Sequence, residues 1–77
     1  SNVTSTNIED SSGNTILAFV SVVNTVNYWQ ITNAISGAAP IFETQGSDTN
    51  VDGKITSKGS GKLYLDGGTT GTVEVNH

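Results

Sequence analysis

The sequence predicts an all-β protein built from short antiparallel strands. Three observations carry that expectation: bulky apolar residues recur at every second position over short stretches, Asn, Asp, Gly and Ser interrupt those stretches about every 8 to 12 residues, and no long stretch keeps a helical period. The clearest case runs from residue 46 to residue 66. Around Val51 and Ile55, and again around Leu63 and Leu65, the intervening positions are small, polar or charged, as in a strand with one covered face. Lys58-Gly59-Ser60-Gly61-Lys62 lies between them and reads as a sharp corner, because a glycine on either side of one serine lets the backbone reverse without a Cβ clash.

Taken in order, residues 1–13 form an extended lead-in segment rich in Ser, Thr and Asn, with Val3 and Ile8 its bulky apolar residues. Asp10-Ser11-Ser12-Gly13-Asn14 is the first turn signal. Residues 14–76 form the β module, so the chain is one domain. From residue 15 to 26 the composition is β-branched and aromatic, with Ile16, Ala18, Val20 and Val22 on one parity and Leu17, Phe19 and Val23 on the other. A strand apolar on both faces must be covered on both. Residues 27–33 make a second strand with a cleaner division, Trp29 and Ile31 on one face, Tyr28, Gln30 and Thr32 on the other. Trp29 is the largest apolar side chain present. It reads as an anchor in a core or subunit interface, or else as a stacking platform for a ligand. Pro40 ends the small-residue stretch that follows. Residues 41–45 and 72–76 complete a set of roughly six or seven short strands, the last with Val73 and Val75 on one side.

Size and charge narrow the function classes. A chain of 77 residues buries only about 60% of its unfolded surface as a lone monomer, which leaves it marginal. About a quarter of it is Leu, Ile, Val or Phe, above the roughly 20% below which chains tend to disorder. Folding is therefore expected, with help. No cysteine is present to form a disulfide and the one histidine is His77, so oligomerisation is the remaining remedy for a small core. The net charge of −4, with three lysines and no arginine, argues against nucleic acid as a partner. Lys54, Lys58 and Lys62 recur every fourth residue, but glycines at 53, 59 and 61 make that stretch a solvated turn instead of a helical stripe. The apolar run at 16–26 is shorter than the ~18 residues a membrane helix needs, so no membrane insertion is expected. The first dozen residues carry no basic n-region of a secretory signal.

Catalytic and metal motifs fail on inspection. Asp48-x-Asn50-x-Asp52-Gly53-x-Ile55 matches the first half of a calcium loop, yet Gly59 stands where the bidentate Glu belongs and the flanks are strand-like. Gly59-Ser60-Gly61-Lys62 lacks both the first glycine of a phosphate loop, replaced by Thr56, and its magnesium-binding hydroxyl, replaced by Leu63. The neighbours Glu9 and Asp10, or Glu43 with Asp48, offer carboxylates without a reason to stand at glycosidase separation. Asn2-Val3-Thr4 is a formal glycosylation acceptor and nothing more specific. No cofactor and no enzymatic activity are expected.

Four pieces in one order carry a resemblance: Asn27-Tyr28-Trp29-Gln30-Ile31-Thr32-Asn33-Ala34-Ile35-Ser36-Gly37, then Pro40-Ile41, then Gly46-Ser47-Asp48-Thr49-Asn50-Val51, then Lys58-Gly59-Ser60-Gly61-Lys62. Over residues 14–66 the chain resembles a repeat module of tail-fibre and other virion structural proteins of bacteriophages and prophages. It departs from that pattern at Trp29, where an aliphatic residue is usual, and at Gly53-Lys54, where the strand is usually more apolar. The resemblance implies an intertwined homotrimeric β-helix, a β-prism or a sandwich-like fibre module, located on the virion, non-enzymatic, and used for virion attachment or host-surface adhesion. On that reading Ile16, Phe19, Val20, Trp29, Ile31, Ile41, Val51, Ile55, Leu63 and Leu65, with Val73 and Val75, supply core and trimer interface, and the partners are two further copies, other virion proteins and a host-surface glycan. The alternatives are a capsid decoration protein and a small carbohydrate-binding module, in which Tyr64, with Trp29, would stack on sugar rings while Asp48, Asn50 and Asp52 accept hydroxyls.

Overall fold

The computed structural model describes residues 6–77, so the Asn2-Val3-Thr4 acceptor and the start of the lead-in segment lie outside the described residues. The fold is all-β: four short strands form two separate two-stranded antiparallel sheets, and the described residues contain no helix. Strands β1 (Asn7–Glu9) and β2 (Thr15–Ala18) make the first, β3 (Asn27–Thr32) and β4 (Ile41–Gly46) the second.

The first hairpin is closed by its turn chemistry. Gly13 donates to the Asp10 carbonyl at 3.1 Å, Asp10 donates to the Asn14 carbonyl at 2.9 Å, and Gly13 takes φ of 85°. This is the three-residue loop in which a left-handed glycine completes the reversal. The Asp10 carboxylate braces it, accepting from the backbone N–H of Asn14 at 2.8 Å and of Ser12 at 2.9 Å. The Asn14 bond is the main reason its pKa lies below the ordinary 3.8. Between Ile8 and Glu9 the register slips, so that Ile16 has no residue opposite it and β2 carries a bulge.

The second hairpin has an unbroken register, Asn27 opposite Gly46 through to Thr32 opposite Ile41. Alternation puts Asn27, Trp29 and Ile31 on one face with Phe42, Thr44 and Gly46, and Tyr28, Gln30 and Thr32 on the other. Ser47 extends the ladder by donating to the Val26 carbonyl at 3.2 Å. At Gly46 the strands approach so closely that an added Cβ would stand 2.1 Å from Asn27 Oδ1 and 2.5 Å from the Val26 carbonyl oxygen. The connection between β3 and β4 turns at residues 35–38, where Ala38 donates to the Ile35 carbonyl at 3.1 Å and Gly37 takes φ of 88°.

The strands expected at 27–33 and 41–45 are thus present almost to the residue, while others are not. The stretch read as one strand over 15–26 is a strand only to Ala18. It then leaves extended pairing and turns at Asn24, whose φ is 60°. The segments around Val51 and Ile55, Leu63 and Leu65, and Val73 and Val75 have strand alternation but no ladder among the described residues. Alternation makes a segment fit for a sheet, but a strand also needs a backbone to pair with. The corner at 58–62 does form, with Gly61 donating to the Lys58 carbonyl at 3.1 Å and Ser57 Oγ donating to the Gly61 carbonyl at 3.0 Å.

Two outcomes follow. Replacing Gly46 with Ala should destabilise the protein by roughly 1–3 kcal/mol, since behind the Asn27 amide oxygen the Val26 carbonyl and the Asn27 Cα, both backbone, also block the new methyl; thermal unfolding at fixed protein concentration measures it, with Ser36→Ala as the neutral comparison. Asp10 has a folded pKa below its unfolded one, so its contribution is complete above the ordinary value of 3.8 and is lost as pH falls through the lowered one. Asp10→Ala should therefore lower the melting temperature at neutral pH and show a shallower further loss below about pH 4 than the parent, as read by melting curves across that range.

Candidate functional site

The described part of the chain has an apolar surface and no interior. Every large apolar side chain among the described residues is exposed except Val51, and none is buried. The half-buried residues besides Val51 are Thr32, Glu43, Thr44, Gln45 and Ser57, all polar. A folded soluble monomer has the opposite arrangement.

Part of this surface is shaped. The lining of an open groove of about 670 Å³ includes Leu17, Phe19 and Val20, Trp29 and Ile31 of β3, and Phe42 of β4. Its lining includes Tyr28 as well as Trp29 and Ile31. Asn27, Trp29, Ile31 and Phe42 share one face of the second hairpin, so the groove lies mainly over that face, with Tyr28 at its margin. No acidic or basic side chain lines it.

The ring of Trp29 stacks on Phe42 with centroids 4.4 Å apart and planes 18° from parallel. A stacked pair of this kind contributes about 0.5–1.5 kcal/mol beyond its area. Residues 51–53 come over the same face: Thr44 Oγ1 donates to the Val51 carbonyl at 3.1 Å, and a Cβ at Gly53 would lie 2.9 Å from Trp29 Cη2 and 3.3 Å from the Thr44 methyl. Trp29 and Gly53, distant in the sequence, therefore lie against each other. A large ring at 29 is accommodated by the smallest residue at 53.

Of the residues expected at a core or interface, Phe19, Val20, Trp29 and Ile31 are brought together in the groove. Ile16, Ile41, Ile55, Leu63, Leu65, Val73 and Val75 lie outside it and exposed, and Val51 is half-buried beside β4. Sequence reasoning missed Phe42, whose place opposite Ile31 and diagonal to Trp29 depends on the hairpin register. It was visible only as an apolar residue in a short strand.

The residues considered for ligand contact do not converge. The Asp48 carboxylate accepts from Asn27 Nδ2 at 2.8 Å, which ties the loop after β4 to the start of β3. Asn50 and Asp52 are exposed in the loop beyond it, and Tyr64 is 79% exposed with no ring partner in the structure. Glu43 accepts from Gln45 Nε2 at 2.7 Å along β4. Among the described residues no three His, Asp or Glu side chains are grouped as metal ligands.

The contact between Trp29 and Gly53 can be tested by a double-mutant cycle. Gly53→Val should destabilise by about 1–3 kcal/mol through overpacking against the ring. Combined with Trp29→Leu, the same change should cost less, giving a coupling of roughly 0.5–3 kcal/mol; thermal unfolding of the four proteins reads it. Comparison of the chain with protein-family models, with curated proteins and with solved structures finds no match.

Proposed function

We propose that this chain is a non-enzymatic virion structural module, a homotrimeric segment of a phage fibre or spike used for attachment or host-surface adhesion. One observation carries the assembly: the apolar side chains, Val51 excepted, face outward among the described residues while the half-buried positions are otherwise polar. Surface area gives the scale. A compact protein of this mass exposes about 4,450 Å², whereas this chain exposes 7612 Å². The difference of roughly 3,000 Å² is of the order buried in obligate subunit interfaces. The radius of gyration of 16.0 Å likewise exceeds the about 11.5 Å expected of a compact domain of this length.

The virion assignment rests on the four ordered sequence pieces between residues 27 and 62, and assembly is what such a module requires. Its task is mechanical: to hold chains in register and present loops, with other virion proteins at its ends. A small carbohydrate-binding module is the second reading, favoured by the exposure of Tyr64. Against it, one face of Trp29 is taken by Phe42 and the Asp48 carboxylate by Asn27.

Native mass spectrometry and sedimentation at micromolar concentration should give a species of three chains, each of 8.0 kDa. A monomer would overturn the proposal. A monomer whose fluorescence is also quenched by a glycan panel would establish the second reading.

A further inference from the structure

We infer that the free edge of β3 takes residues 62–66 of a neighbouring copy as an added strand, so that the subunits are joined by strand exchange. This rests on the assembled reading above and identifies which segment meets which edge.

The edge is identified by the ladder. Ser47 donates to the Val26 carbonyl, so residues 26 and 47 form a hydrogen-bonded pair. In an antiparallel ladder such pairs alternate with non-bonded ones. Tyr28, Gln30 and Thr32 therefore direct their N–H and C=O groups to β4, while those of Asn27, Trp29 and Ile31 point away from it. β3 pairs with β4 alone, and no backbone bond within the described chain engages those outward groups. An open apolar edge of this length is a template for another strand.

The occupant is identified by matching need. Lys62-Leu63-Tyr64-Leu65-Asp66 has strand alternation, and residues 62–65 have no hydrogen bond to the rest of the described chain. Leu63, Tyr64 and Leu65 are 50%, 79% and 68% exposed. Laid along β3, Leu63 and Leu65 would fall on the side of Trp29 and Ile31, and Tyr64 on the side of Tyr28. Its three central residues are uncharged, as is the groove, and its charged residues Lys62 and Asp66 fall at the ends, outside it. Of the two other unpaired alternating stretches, the one at 51–55 is already held on its own hairpin by the Thr44 bond to the Val51 carbonyl and by Gly53 against Trp29, and residues 72–76 would place Glu74 mid-strand on the face that already carries Glu43. Edge and occupant are different surfaces of the same chain, so the contact is head-to-tail and closes as a ring when the rotation permits, as in a trimer.

The chain has no cysteine, so single cysteines report proximity without background. Copies carrying Ile31→Cys and copies carrying Leu63→Cys, with tags of different mass, are unfolded together, refolded and treated with a short bismaleimide. The expected product contains both tags, at least tenfold above the yield when Ser12→Cys replaces Leu63→Cys. If Ile31→Cys impairs assembly, Val20→Cys in the same groove serves in its place. Amide exchange on the unmodified chain supplies a second measurement, with slow exchange expected at Trp29, Ile31, Leu63 and Leu65. An intact oligomer that gives no cross-link above the control, or in which these amides exchange as fast as the loop at Gly67, overturns the strand exchange and leaves the assembly standing. A monomer overturns both.

Discussion

A two-stranded sheet is a single layer, and a single layer cannot bury its own face. Soluble domains form a core by packing a second layer against the first. Here neither hairpin finds one: the first sheet is three and four residues long, the second is six by six, and the 31 residues after β4 form no strand within the described chain. The apolar side chains that alternation directs to one face are consequently left uncovered. Everything proposed for this molecule descends from that shortage of layers, since the hydrophobic term that offsets chain entropy has to come from surface that one copy does not cover.

Within each hairpin the local devices are complete. Asp10 braces its turn through two backbone donors, Gly46 permits an approach that any side chain would block, and Asn27 with Asp48 clips the loop after β4 to the base of β3. Two-stranded hairpins are at best marginal alone in water. Local order of this quality stands beside little burial, with Trp29 on Phe42 the one aromatic stack among the described residues.

Much of the second hairpin was legible beforehand. The alternation of Trp29 and Ile31 against Tyr28, Gln30 and Thr32, the stop at Pro40 and the corner at 58–62 each have a local cause, and each is found. The first long apolar stretch was harder to read. Residues 15–26 have no polar alternation to set a register, and the left-handed turn at Asn24 divides them in a way that periodicity alone does not signal. The groove was half legible, because Phe19, Val20, Trp29 and Ile31 stood out as bulky residues but nothing in their spacing placed them together.

The amino-acid order by itself determined the β character, the turns at 10–14 and 58–62 and the excess of apolar residues, because these depend on period, on glycine and Asx chemistry, and on composition. Only the tertiary structure decided which strands pair, that Gly53 lies on the ring of Trp29, and which groups of β3 point to an unoccupied edge. Those are matters of register between segments distant in the chain. A period of two says which side chains share a face, and is silent on which backbone lies alongside.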